Sequence, residues 1–391
     1  MSNRRIRLLF VIGQLVQGGS ERYLFELCRA LDKDKFEIEV LTRRRTRPND
    51  YYLPRLTELG IVVHRRLPLP LDRWARTYVP RLYRVAPFRR SMRRALDRQL
   101  EMVFGRFFDR YDLINCIQIE SYNQLQHLLP ASRRVLIHLM SARYQYPYDP
   151  YAECSPERHY HVVVTDPSQF DDLADSNCRN ASSLRFPLVL DCRARPSVFA
   201  LPPKGTPLRI GIFTRLSPEK PLEPLFFCFQ SLVRDYDATL HVYGRGNPEP
   251  YRRLLDVLHI RERVFFEGHQ VNLEETVRRE RLSLGWLISN GPFLGYASIE
   301  VASYGMPMVF WNCLPTADEE TLAQTGGAIH AFGNVVDFVN FNRELLEQPE
   351  RLVQLGRDLR AYILAEYDVR HHIHVLEAHM VDLASAQPVL V

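Results

Sequence analysis

The residues best suited to chemistry are Thr214-Arg215-Leu216-Ser217-Pro218-Glu219-Lys220. They follow the apolar run 208–213 and precede a helical pattern over 222–233, so they read as a loop between a strand and a helix. An Arg fork and a Lys point charge at that place suit phosphate oxygens. A diphosphate leaving group gains negative charge as its bond breaks. Two fixed cations near a helix N-terminus would stabilise that charge without a metal. The competing reading is a solvated loop with charges of both signs.

Three further segments carry the same kind of signal. Gly18-Gly19-Ser20-Glu21-Arg22 follows the first apolar run, where glycines admit a ligand to the backbone and a helix start offers N–H groups to an anion; Ser20 could equally be a plain N-cap. Gly244-Arg245-Gly246 ends a strand pattern and either admits a base or ribose or is simple turn chemistry. The loop 290–296 runs into a helix that ends at Gly305, and its residues Phe293, Leu294, Gly295 and Tyr296 could present backbone N–H groups to sugar hydroxyls or phosphate. Glu300, about one turn into that helix, could accept hydrogen bonds from both hydroxyls of a ribose, or could be there because a carboxylate is favoured near a helix start.

These loops need elements to hold them. Residues 7–13, 36–41 and 61–63 read as strands, with helices over 21–31 and 52–59 between them. Strand, helix, strand, helix, strand opens a doubly wound α/β domain. Further strands are expected at 112–117, 134–138 and 161–165. Residues 186–207 are rich in Pro and read as a linker. The pattern then restarts, with strands at 208–213, 238–243, 264–266, 282–288, 308–310 and 328–330. The reading is helical from 344 onward. The expectation is an α/β protein of two tandem Rossmann-like domains facing each other across a cleft: 1–185 with a basic insertion at 65–110, the linker 186–207, 208–370, and a last helix in 371–391 that crosses back to the first domain. Ligands of open α/β sheets sit at strand carboxyl ends.

Together the segments resemble the GT-B glycosyltransferases of family 4, the retaining group. The resemblance covers most of the chain. It rests on the Gly18-Gly19-Ser20-Glu21-Arg22 loop, the Thr214–Lys220 loop, the Gly-x-Gly turn at 244–246, and the region around Glu300 with its Ala302-Ser303-Tyr304-Gly305-Met306-Pro307 tail. It implies that Gly18 and Gly19 approach the donor phosphate and the acceptor side, that Arg215 and Lys220 bind the diphosphate, and that Glu300 binds the ribose. It implies a catalytic place for His138, expected at a strand end near the transferred sugar; such a histidine is otherwise a polar rim residue. One departure stands out. The first Glu of the family's E-x7-E motif falls at Pro292, which has no carboxylate. The implied donor is a UDP- or GDP-type nucleotide sugar, a substrate and not a cofactor. The implied acceptor is a glycan or a lipid-linked sugar, in bacterial cell-surface polysaccharide or lipopolysaccharide assembly. A subunit that binds the donor without transferring it is the alternative that Pro292 favours.

Composition narrows the setting. The chain has 391 residues, 46% of them hydrophobic, with no apolar run long enough for a transmembrane helix. Its seven Cys show no C-x-x-C spacing, which argues against a zinc site or a disulfide framework and for a reducing compartment, the cytoplasm. The net charge of +5 is uneven: residues 65–110 hold thirteen Arg and four acids, a local balance of +9. Arg89, Arg90, Arg93 and Arg94 lie there among aromatic and aliphatic residues. They suggest a basic amphipathic helix on an anionic membrane surface, on the inner face of the plasma membrane. The other reading is a solvated Arg face above a stripe that packs on the first domain. No nucleic-acid module is evident.

Overall fold

The computed structural model describes residues 4–43, 50–65, 107–129, 134–193, 195–203, 205–217, 220–289, 294–312, 322–323 and 325–386. Arg89, Arg90, Arg93, Arg94, Pro292 and Phe293 lie outside these, as does most of the basic segment. The chain forms two compact units, Met1–Val189 with His372–Val391, and Leu190–His371.

The first unit holds strands β1 (Ile6–Ile12), β2 (Phe36–Thr42), β3 (Val62–Arg65), β4 (Leu113–Ile117), β5 (Val135–Leu139), β6 (Tyr160–Val164) and β7 (Ala181–Arg185). Their order in one sheet is β3-β2-β1-β4-β5-β6-β7, and every pair is parallel. Helices α1 (Gly19–Ala30), α2 (Tyr52–Glu58), α3 (Ile119–Asn123) and α4 (Ser168–Ala174) connect them. The central strands are apolar on both faces, as a parallel sheet covered on both sides requires.

The second unit repeats the plan. Strands β8 (Leu208–Phe213), β9 (Ala238–Tyr243), β10 (Val264–Gly268), β11 (Leu284–Ser289), β12 (Met308–Asn312) and β13 (Ala331–Phe332) lie in the order β10-β9-β8-β11-β12-β13, again all parallel. Helices α5 (Glu223–Leu232), α6 (Glu249–Val257), α7 (Leu273–Arg279), α8 (Tyr296–Ser303), α9 (Val335–Glu347) and α10 (Pro349–Glu366) belong to this unit. The last helix, α11 (Val369–Ser385), begins at its end, and its residues from His372 onward group with the first unit. There Glu377 accepts from the Asp32 N–H at 2.8 Å and lies 3.1 Å from Lys35 Nζ.

Several boundaries differ from the sequence pattern. The strand expected at 328–330 is β13, Ala331–Phe332, because Ala328 and Ile329 are buried outside the ladder. β7 gave no pattern at all: it is an edge strand of Ala-Ser-Ser-Leu-Arg, largely exposed, and its membership comes from pairing with β6. α9 starts nine residues before the helical reading did, at the Asn334 cap whose side chain accepts from Asp337 N–H. Six cysteines, 28, 116, 154, 178, 192 and 228, are buried and outside any disulfide; Cys313 lies outside the described residues. Among the described residues no helix is long and apolar enough to cross a membrane.

The core of the second unit contains a buried polar pair. Trp286 and Asn342 are both fully buried, and the indole N–H donates to Asn342 Oδ1 at 2.7 Å. Asn342→Leu leaves that donor without a partner and is expected to destabilise the unit by about 1–3 kcal/mol. Urea unfolding followed by tryptophan fluorescence measures this; an unchanged midpoint would sink the assignment.

Candidate functional site

In each sheet the winding direction reverses once, between β1 and β4 and between β8 and β11. Ligands of such sheets sit beyond the carboxyl ends of the strands at that reversal. The two strongest sequence segments fall on the second of these points: 214–220 follows β8, and 290–295 follows β11.

Backbone contacts fix the first loop. Thr214 N–H donates to Tyr243 O at 3.0 Å and Leu216 N–H to Arg245 O at 2.8 Å, so the loop extends the β8–β9 ladder beyond the sheet. Gly244 is required by this approach, since a Cβ there would overlap the Thr214 carbonyl oxygen. Its N–H donates to Gly268 O at 2.9 Å, which ties in the loop after β10. Gly246, at φ 141°, would likewise overlap Leu216. The structure therefore gives Gly244 a packing role, the turn-chemistry reading, in holding the loop that bears Arg215. Arg215 is exposed and Lys220 partly buried, with the Lys220 N–H donating to Ser217 O at 2.8 Å.

The second loop ends at Gly295, the extended N-cap of α8, which is exposed and has open space where a Cβ would be. Ser298 and Ile299 N–H groups donate to its carbonyl. Tyr296 opens the helix, and Leu294 is buried. Glu300, partly buried, sits in the second turn. Its Oε1 lies 3.2 Å from Arg195 Nη1, and its Oε2 makes no hydrogen bond among the described residues. Arg195 also donates to Tyr304 OH at 2.7 Å and to Asp191 O at 3.1 Å, with its guanidinium 5.2 Å over the Tyr304 ring. Arg360 holds the same corner, donating to Ser303 O and Arg195 O, both at 2.9 Å. Neither arginine was singled out by sequence. Arg195 lies in the Pro-rich segment, 105 residues from Glu300, and no local pattern joins them.

The first unit is built differently from its expectation. Gly18 is the N-cap of α1, so Ser20 is not; Ser20 Oγ instead accepts from Gln118 Nε2 at 2.8 Å. A Cβ on Gly18 would overlap the Glu21 carboxylate, so the acid beside this helix start is the chain's own. Gly19 is exposed. His138 is the penultimate residue of β5 and is 0% exposed, so it is a core residue and not one of the rim. Its Nδ1 is 3.1 Å from Tyr23 OH and its Nε2 3.2 Å from Asn115 Oδ1. Burial, helped by nearby His379, pushes its pKa down to about 3, so it is neutral. A ring with no exposed atom and both nitrogens engaged cannot meet a sugar in this structure.

No family model matches the sequence, and no curated protein matches it. Solved structures do match. HepE of Anabaena, solved with UDP and glucose, superposes with a TM-score of 0.70 at 15% identity, over 97% of this chain and 100% of that one. The sucrose-phosphate synthase of Thermosynechococcus elongatus gives 0.65 at 18%, over 96% and 98%. The lipopolysaccharide outer core galactosyltransferase WaaB, in its apo form, gives 0.60 at 15%, over 96% and 99%. The fold is that of the GT-B glycosyltransferases. At these identities the likeness establishes the fold and leaves the activity to the site.

Two outcomes follow. Gly244→Ala forces Thr214–Leu216 away from β9 and should abolish any UDP- or GDP-dependent rise in Tm while the unliganded chain still melts cooperatively; an undiminished rise refutes the loop's role. Stability should also fall with acid. His138 is neutral when folded but takes a proton near pH 6.5 when unfolded, so the unfolded state binds more protons below that value. His161 and His379 are shifted down by burial in the same sense. The His138 contribution is complete above pH 6.5 and is lost as pH falls toward about 3, accounting for about 1 kcal/mol between pH 6.5 and 5.5. Urea midpoints across that range, compared with His138→Gln, measure it.

Proposed function

We propose that this chain is a glycosyltransferase that moves a sugar from a UDP- or GDP-type donor to a glycan or lipid-linked acceptor. One observation carries the reading: the Arg215–Lys220 loop and the α8 start at Gly295 stand on the neighbouring strands β8 and β11, at the reversal of the second sheet. A diphosphate set there meets a guanidinium, an ammonium and the positive end of a helix. As the bond from the anomeric carbon to the diphosphate breaks, its electron pair leaves with the diphosphate, and these charges stabilise it in an oxocarbenium-like, dissociative transition state. In this reading Glu300 Oε2 accepts from ribose hydroxyls, supported by Arg195 holding Oε1. In this reading the two cations take the part a metal would play.

The finer assignments rest on likeness. HepE binds UDP and glucose and WaaB is a lipopolysaccharide galactosyltransferase, which supports a UDP-sugar donor and a role in cell-surface polysaccharide or lipopolysaccharide assembly. Retention of configuration and a place in family 4 rest on the family resemblance alone. The thirteen Arg of 65–110 support a peripheral place on the inner face of the plasma membrane. A second reading, a donor-binding subunit without transfer, is favoured by Pro292.

Melting curves with UDP, GDP and ADP should show one nucleotide raising Tm by mass action. With the matching sugar nucleotide, Arg215→Ala together with Lys220→Ala should cut nucleotide release by about 100-fold or more. Intact turnover in the double variant defeats the proposal. Binding without turnover in the unaltered chain selects the second reading.

A further inference from the structure

The carboxyl edge of the first sheet carries a cluster that the donor site does not use. Glu120 lies just beyond β4, Arg43 just beyond β2, and Tyr146 and Tyr148 in the loop after β5. Tyr146 OH donates to Glu120 Oε2 at 3.2 Å, and the Tyr146 and Tyr148 rings lie 5.8 Å apart. Glu120 Oε1 makes no hydrogen bond among the described residues.

Tyr148 is 56% exposed, yet the loop around it is held on both sides. Before it, Tyr146 is fixed to Glu120, and the Arg143 N–H donates to Asp172 Oδ2 at 2.7 Å. After it, Asp149 pairs with Arg143 at 3.0 Å, Pro150 O accepts from Asn123 Nδ2 at 2.8 Å, and Tyr151 is buried. A large ring held out to solvent on a pinned loop is preorganised for a flat apolar ligand face. The carboxylate beside it accepts hydrogen bonds only, which suits hydroxyl donors.

The local charge selects the ligand further. Arg143 is committed to Asp149. The Tyr148 hydroxyl is held above the usual tyrosine range, by desolvation first and then by Glu120, with Arg43 opposing and Glu153 adding. Among the described residues, two carboxylates stand against one guanidinium at this spot, which disfavours a phosphate.

We infer that Tyr148 and Glu120 form a subsite for the ring of a neutral glycoside, the ring stacking on Tyr148 and its hydroxyls donating to Glu120. That this glycoside is the acceptor rests on the transferase reading; the binding itself does not.

Saturation-transfer NMR of the full chain with methyl α-glucoside, methyl α-galactoside, methyl α-mannoside and glycerol 3-phosphate tests it. At least one neutral glycoside should receive saturation. Tyr148→Ala should weaken its binding about fivefold, and Tyr148→Phe should restore most of it. Glu120→Gln should weaken it too, with melting curves showing each variant folded. Silence from all three glycosides, binding of glycerol 3-phosphate alone, or an undiminished signal in folded Tyr148→Ala overturns the inference. The UDP- or GDP-dependent Tm rise of the unaltered chain is a separate readout: its absence defeats the donor reading and leaves the glycoside result standing.

Discussion

The parallel register between β8 and β11 is the constraint on which the rest of the candidate site depends. Gly285 lies opposite Gly211 and Trp286 opposite Ile212, so residues more than seventy positions apart end at the same edge. A parallel pair cannot be closed by a hairpin, and each strand must hand its chain to a crossover. Because the crossovers run one way from β8 and the other way from β11, the loops leaving them splay and leave room for a ligand between them. A shift of one residue would turn every side chain to the opposite face. The apolar packing around Trp286 and Phe229 holds that register.

Close backbone contact then carries the order of the sheet into the loops. Thr214, Leu216, Gly244 and Gly246 continue the β8–β9 ladder past its nominal end, which only residues without a Cβ permit at 244 and 246. Arg215 is thus borne on a strand-like segment, and a charge that must meet a phosphate benefits from such a base. Glu300 is fixed by another route. Its partner Arg195 is itself bound to a backbone carbonyl, a tyrosine hydroxyl and an aromatic face, so the carboxylate is paired and half-buried without being fully used. An unpaired carboxylate at that depth would be costly.

The first unit shows the limits of a motif. Its sheet repeats the second, and its glycine loop does open a helix at the reversal point. Yet Glu21 lies beside that helix start, and His138 is a core residue clasped by Tyr23 and Asn115. A histidine in an apolar run reads the same whether it faces a ligand or a neighbouring strand. Only the packing of α1 against β5 separates the two.

The sequence by itself determined the alternation of strands and helices, and with it two doubly wound units, because burial on both faces writes continuous apolar runs into each central strand. It also determined which loops bear the cations, since Arg215 and Lys220 lie within one strand-to-helix connection. Strand order, the pairing of β7, the Arg195–Glu300 contact, the burial of His138 and the grouping of Tyr148 with Glu120 were decided by tertiary structure alone. Each depends on contacts between segments distant in the chain, and local periodicity carries no record of which segments meet.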